Sequence, residues 1–316
     1  MTKRGVEFCD KYLFYFVGKH DILIKDEITL SKGVPVSHSY RSLTRVLAAV
    51  GIEDASDEAA LLLEHFAGAS RVSLMLERDR EYVVPALDSA VLKRLERYPL
   101  QYILGTWDFF GLPFTVNEHC LVPRPDTECL VEEAIRRLPV GGMFADLCTG
   151  SGCIAVATLA NRPDLTAVAL ELYPETLALA VRNAADNLVA DRFTPVQADL
   201  LQGGVEALAE FAPLDAILSN PPYIPTEVVH TLAPEVKCEP FAALDGGDDG
   251  LIFYRAILRD YPRLLKPGGQ ILLEIGYDQG EALRTLSAAY LPGADVRVLR
   301  DLGGCDRVAV ITLPAP

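Results

Sequence analysis

A chain of 316 residues, half of them hydrophobic, has room for a large domain beside a smaller one and material for a real core. No apolar run approaches the ~20 residues that span a bilayer, and the aromatic cluster Tyr12 to Val17, which follows Asp10, is too short for a secretory signal. The net charge of −15 is uneven: residues 1–100 hold 14 basic and 15 acidic side chains and residues 101–316 hold 15 and 29, which disfavours a phosphate backbone and favours a cationic cofactor or a basic protein partner.

Residues 1–40 show no clear period and read as an extension of unassigned role. From 41 to 98 the spacing is helical. Leu43, Val46 and Leu47 recur before Gly51, Ala60 to Phe66 form a second stripe closed by Gly68, and Leu87, Val91 and Leu95 predict a third helix, Ala86 to Tyr98, that stops at Pro99. Residues 99–123, with Gly105, Gly111 and Pro113 among aromatic and β-branched residues, read as a hairpin linker. Residues 124–316 form the large domain. A helix from about Asp126 to Leu138 precedes an alternation: strand Met143 to Cys148, helix Gly152 to Asn161, strand Thr166 to Glu171, helix Pro174 to Leu188 and strand Phe193 to Ala198. Strand Leu214 to Ser219, helix Leu251 to Leu265, strand Gln270 to Ile275, helix Gln279 to Ala289 and strands Val296 to Leu299 and Arg307 to Leu313 complete it. Such alternation predicts an α/β fold with a mostly parallel sheet between helices, whose ligands lie beyond the carboxyl ends of the strands.

Asn220-Pro221-Pro222-Tyr223 ends one of those strands and points to methylation of a planar nitrogen. Such a nitrogen is a poor nucleophile, because its lone pair is delocalised. The Asn220 oxygen and the Pro221 carbonyl can accept its two N–H bonds, the prolines stiffen the turn and remove competing donors, and Tyr223 offers a flat face. A proline-rich turn after a buried strand is the structural alternative.

A second constellation surrounds the first strand of the large domain. Asp146-Leu147-Cys148-Thr149-Gly150-Ser151-Gly152 forms a strand-to-helix turn whose glycines admit a ligand close to the backbone. Glu171 ends the next strand and can accept two ribose hydroxyls; Asp199 ends the third and can accept from an adenine amine. Gly150, Gly152 and Ala155 also satisfy the dinucleotide fingerprint, so a nicotinamide oxidoreductase shares this part of the pattern. Asp146 favours S-adenosylmethionine, since a carboxylate there suits an ammonium and not a pyrophosphate. Each acid alone reads equally as a helix cap. Seven cysteines without a C-x-x-C pair suggest a reducing cytoplasm, and five scattered histidines give no metal spacing.

Taken together, these residues resemble the glutamine N5-methyltransferases that modify peptide-chain release factors. The resemblance runs from about Leu43 to the C-terminus. It rests on Leu121-Val122-Pro123-Arg124-Pro125-Asp126-Thr127-Glu128, the Asp146 to Gly152 turn, Asn220 to Tyr223, Glu239-Pro240 with Ala243-Leu244, Gly247-Asp248-Asp249-Gly250-Leu251, and Arg300-Asp301-Leu302. It implies a seven-stranded Rossmann-like S-adenosylmethionine-dependent methyltransferase sheet with a small N-terminal helical domain that docks the substrate. It implies methyl transfer to the glutamine of a Gly-Gly-Gln loop, with no direct nucleic-acid or membrane partner. Cys148, Thr149, Gly150, Ser151, Gly152 and Glu171 would hold the cofactor, Asp199 and Leu200 would flank the adenine, Phe109 (or Phe110) would border the methyl, and Asn220 to Tyr223 would hold the glutamine amide. Arg124 and Glu128 are divided between a site role and strand-to-helix packing. A sister family that methylates a glutamine of a ribosomal protein shares the glycine-rich and Asn-Pro-Pro-Tyr motifs, but its Pro-Arg segment continues with Ser-Pro. A DNA adenine-N6 methyltransferase would share the clamp, yet needs a basic, base-flipping surface.

Overall fold

The computed structural model describes residues 7–9, 12–17, 20–24, 34–77, 79–82 and 84–315, and the chain divides between Leu104 and Gly105 into two units. In the first unit the described parts of the N-terminal extension pair as antiparallel strands, β1 (Glu7–Cys9), β2 (Tyr12–Val17) and β3 (His20–Ile24). The rest of residues 1–33 lies outside the described residues. A two-residue strand, β4 (Val34–Pro35), pairs with β5 (Glu81–Tyr82).

Helices α1 (Val36–Ala49), α2 (Ala55–Ala67), α3 (Arg71–Leu76), α4 (Pro85–Leu95) and α5 (Leu100–Leu104) make up the remainder. The stripes read from the sequence are its core: Leu43, Leu47, Leu63, Leu87, Val91 and Leu95 are all buried. Arg94 is buried among them without an orphaned charge, because its guanidinium forks onto both oxygens of Glu58 at 2.6 and 2.9 Å. Helix α3 is too short to show a period, and α5 occupies the start of the segment read as linker.

The second unit opens with the hairpin β6 (Thr106–Phe109) and β7 (Leu112–Thr115), turned by Phe110 and Gly111, both at positive φ. Two left-handed residues in a row match the right-handed twist of the strands they join. After α6 (Glu128–Arg137) come β8 (Met143–Leu147), α7 (Cys153–Asn161), β9 (Thr166–Glu171), α8 (Pro174–Asp186), β10 (Phe193–Gln197), α9 (Gly204–Leu208) and β11 (Leu214–Ser219). The chain closes with α10 (Thr226–Val229), α11 (Ile252–Asp260), β12 (Leu265–Glu274), α12 (Gly280–Tyr290), β13 (Asp295–Arg300) and β14 (Asp306–Thr312).

Seven strands lie in the order β10-β9-β8-β11-β12-β14-β13, and all run the same way except β14, which is antiparallel to both its neighbours, β12 and β13. Strands β8, β9 and β11 are buried along almost their whole length, as strands with helices on both faces must be. Each large aliphatic side chain such as Leu147, Ile217 or Leu218 stabilises the sheet by about 1.5–3 kcal/mol relative to exposure. The outer strand β13 is largely solvent-facing. The helix expected over Leu251 to Leu265 stops at Asp260, because Pro262 cannot continue the hydrogen-bond ladder, and a 3-10 turn, Tyr261–Leu264, leads into a β12 longer than its apolar run. The sheet grows outward from β8 in one direction and from β11 in the other, so the switch point lies where those two strands end.

Candidate active site

The turn after β8 is a strained backbone held from behind. Cys148, Gly150 and Gly152 all take positive φ (57°, 58° and 82°), a conformation that disfavours a cysteine. Asp146, fully buried at the end of β8, accepts the Thr149 hydroxyl at 2.7 Å and the Ala155 N–H at 3.2 Å through one oxygen, Oδ2, which pins the turn to the start of α7. A Cβ at Gly152 would stand 3.1 Å from that of Ala180, so glycine there lets α7 and α8 approach. Asn183 of α8 donates to the Ser151 carbonyl at 2.8 Å and exchanges hydrogen bonds with Thr115, joining the turn to the hairpin.

Glu171 ends β9 beside this turn. Its oxygens accept Gly150 N–H at 3.0 Å, Leu172 N–H at 2.9 Å and Tyr173 N–H at 3.2 Å, fixing the carboxylate in place. Burial nonetheless raises its pKa, against the lowering effect of those N–H groups. Burial, then the charges of Glu171, Asp146 and Asp199, hold the Cys148 thiol protonated.

Asn220 leaves β11 directly across the switch point, where Ser219 pairs with Leu147 and donates its hydroxyl to the Leu147 carbonyl at 2.6 Å. The following loop is built around the backbone of Tyr223 and Ile224. Gly246 N–H donates to the Ile224 carbonyl, Ile224 N–H to the Leu244 carbonyl, and Thr226 N–H to the Gly247 carbonyl. A Cβ at Gly250 (φ +73°) would fall 2.3 Å from the Tyr223 oxygen, which leaves no alternative to glycine. Gln279 completes the support, donating to the carbonyls of Tyr223 at 3.0 Å and Gly250 at 3.4 Å while accepting Gly276 N–H at 2.9 Å.

A cavity of about 400 Å³ opens over both turns, within the usual range for small-ligand sites. Cys148, Thr149, Gly150 and Ser151 form one side, Glu171, Asp199 and Leu200 the ends of β9 and β10, and Asn220 and Pro222 the end of β11. Leu121, Pro123, Arg124 and Thr127 contribute from the segment before α6. Asp146, expected to meet an ammonium, lies behind the turn and off the wall, and Gly152 packs on α8. Phe109 is also off the wall: its ring is buried edge-on against Phe114, 5.9 Å between centroids, and Phe110 serves the hairpin turn. Pro221 and Tyr223 do not line the cavity. A buried carboxylate beside a glycine turn, a largely apolar wall and an acidic environment fit an adenosyl group carrying a cationic sulfonium.

Sequence reasoning did not single out Glu274, Thr127 or Gln279 as site residues. Glu274 closes β12 as Glu171 closes β9, so the rule that acids mark strand ends could have found it. It is buried, receives the Tyr223 hydroxyl at 3.4 Å, and is pushed up to about 7, by burial first.

Comparison with known proteins decides the family. Residues 39–105 match the model of the PrmC N-terminal domain and residues 126–236 that of the Methyltransferase small domain. A release factor glutamine methyltransferase of Geobacter sulfurreducens is 41% identical over 83% of this chain and 91% of its own length. That of Cereibacter sphaeroides is 42% identical over 85% and 95%. The chain belongs to the release factor glutamine methyltransferase family. Among solved structures, the hMettl16 catalytic domain, in complex with the MAT2A 3'UTR hairpin 6, superposes with a TM-score of 0.51 at 17% identity, covering 73% of this chain and 83% of that one, a likeness of fold.

The family segments now have physical roles. Arg124 is ion-paired with Glu239, whose other oxygen accepts Val122 N–H at 3.0 Å, so Glu239-Pro240 is tied to the segment before α6. Burial raises the Glu239 pKa, opposed chiefly by the Arg124 charge. Glu128 accepts Phe110 N–H at 2.8 Å and anchors the hairpin. Asp301 and Asp126 share Arg307, at 3.1 and 3.2 Å, which joins Arg300-Asp301-Leu302 to Pro125-Asp126-Thr127.

Proposed function

We propose that this protein transfers a methyl group from S-adenosylmethionine to the side-chain amide nitrogen of the glutamine in the Gly-Gly-Gln loop of peptide-chain release factors. One observation carries the reading most: Asn220 opens onto the same cavity as Glu171 and the glycine turn, so an amide clamp and a nucleoside subsite face one space. S-adenosylmethionine, when bound, supplies an already activated methyl group. Cys148 to Ser151, Glu171, Asp199 and Leu200 would hold it. Gly152 and Asp146 shape the turn from behind.

The task left to the protein is positioning. The Asn220 side-chain oxygen would accept one amide N–H and Pro222 would meet the planar group, both from the cavity wall, while the Pro221 carbonyl and Tyr223, which do not line the cavity, are assigned the second N–H and the support behind the turn. Well-oriented reacting pairs gain up to about 7–11 kcal/mol, so no strong base is needed before attack. The amide nitrogen becomes cationic as the bond forms, then loses its proton to water. Asn220→Ala should keep cofactor affinity and lose turnover; a methyl-transfer assay with release factor showing an unchanged rate would remove the clamp.

Residues 41–98 are assigned to docking the protein substrate. Helix α3 supports this, since Val72, Met75 and Leu76 form one apolar stripe that is 62%, 71% and 79% exposed. The reading places the protein in the cytoplasm, where release factors work. Among the described residues, no helix is long and apolar enough to cross a membrane.

A further inference from the structure

An asparagine side chain can present either its oxygen or its NH2 group, and the clamp works in only one orientation. If NH2 faced the cavity, donors would meet donors and the glutamine amide would be repelled. Something must therefore set the flip of Asn220. In the structure, Asn220 Nδ2 donates to the hydroxyl oxygen of Thr127 at 3.2 Å. Thr127 is buried at the turn before α6, on the cavity wall, and its hydroxyl stands against the buried Glu274 carboxyl, where it stabilises the charged form. Glu274 takes the Tyr223 hydroxyl on Oε1, while Oε2 is buried with no hydrogen-bond partner, an acceptor left open beside the Thr127 hydroxyl.

We propose that Thr127 and Glu274 form a positioning relay that fixes the Asn220 amide with its oxygen toward the substrate. The inference rests on the amide-clamp reading. A threonine hydroxyl has one proton. When Glu274 is a carboxylate, that proton is drawn to it, and Thr127 has only lone pairs to offer Asn220, which must then turn its NH2 group inward and its oxygen to the cavity. When Glu274 is protonated, the carboxylic acid donates to the Thr127 oxygen. The threonine proton is then free to bond the Asn220 oxygen, which favours the reversed amide. No bond other than these hydrogen bonds changes.

The relay is therefore sensitive to pH. The groups facing Glu274 are Tyr223 from the clamp loop, Thr127 and Asp126 from the turn before α6, Arg307 from β14, Cys153 from α7, and Tyr254 from α11, whose hydroxyl donates to the Glu274 carbonyl at 2.8 Å. Arg307 favours the carboxylate and Asp126 opposes it. With the carboxyl pushed up to about 7, mainly by burial, its ionised fraction changes across the neutral range.

The test measures kcat against pH for the full chain with release factor and S-adenosylmethionine, together with cofactor Kd by calorimetry. Wild type should lose kcat as pH falls through neutrality. Glu274→Gln and Thr127→Val should lower kcat about tenfold to hundredfold, the scale of a misplaced reacting group. They should also abolish the acidic limb while leaving cofactor Kd unchanged. Thr127→Ser should restore both rate and limb. In protein labelled at asparagine nitrogen, the Asn220 side-chain amide signal should titrate in wild type and not in Glu274→Gln. Wild-type rates in the Gln and Val variants, or a limb that persists in both, overturn the relay; a persisting limb would belong to another group such as Asp146. Should Glu274→Gln fail to fold, the Val and Ser pair decides alone. An active Asn220→Ala would instead remove the clamp itself, so the two failures are distinct.

Discussion

Gly250 carries the backbone of the clamp, and alanine at this position should disable the enzyme without emptying its cofactor site. The added Cβ would stand 2.3 Å from the Tyr223 carbonyl oxygen and 3.0 Å from Gln279 Nε2. An ordinary carbon–oxygen contact needs about 3.3 Å, so Tyr223 or the Gly250 loop must move by roughly 1 Å. That shift strains the Gln279 bond to Tyr223, now 3.0 Å. The left-handed backbone at φ +73° adds about 1–2 kcal/mol of strain for any L side chain. Gly141→Ala separates the two effects, because that glycine also has a left-handed φ, +72°, with nothing within 4 Å of its Cβ. Both variants should lose thermal stability. Only Gly250→Ala should lower kcat, by about a hundredfold for a 1 Å misplacement, with cofactor Kd from calorimetry unchanged. Equal kcat in the two variants would refute the claim that this loop positions Asn220 to Tyr223.

Three further outcomes follow from the same geometry. Glu171→Gln keeps the shape of a side chain bonded to three backbone N–H groups but removes its charge, and should weaken S-adenosylmethionine binding about tenfold to hundredfold by calorimetry, the loss of a charge-assisted bond; unchanged affinity would remove Glu171 from the cofactor site. Asp146 is pushed up to about 7 from 3.8 by burial, so the unfolded chain releases this proton first and the penalty on the folded state grows as pH rises toward 7. Asp146→Asn should therefore gain stability relative to wild type, by urea midpoint, as pH rises from acid to neutral; a constant or shrinking difference contradicts it. Met75→Glu, on the exposed stripe of α3, should raise KM for release factor and leave kcat and cofactor affinity alone, and an unchanged KM would count against docking by the helical unit.

What the sequence disclosed follows from how local each signal is. Strands β9 and β11 run over the residues expected of them because they are buried on both faces and read as largely apolar runs. The Cys148 to Gly152 turn and Asn220 to Tyr223 are legible because glycine and proline dictate backbone shape within a few residues. The short helices α3, α9 and α10 escape notice, since four to six residues show no period. Thr127, Glu274 and Gln279 are silent for another reason. Their roles exist only once β12 lies beside β11 and the turn before α6 folds over both, a juxtaposition that no local pattern records. Phe109, expected with Phe110 as the alternative to border the methyl, has its ring buried against Phe114 in its own hairpin, a packing that sequence pattern does not show.

The central claim is that a glutamine amide is the methyl acceptor. Incubating the protein with isotopically labelled S-adenosylmethionine and unmodified release factor, then mapping the product by peptide mass spectrometry, tests it most directly. The account predicts one added methyl group on the Gly-Gly-Gln glutamine, absent when Asn220→Ala replaces the wild-type protein. A label on another residue, on added DNA instead of the release factor, or equal labelling by Asn220→Ala would contradict it.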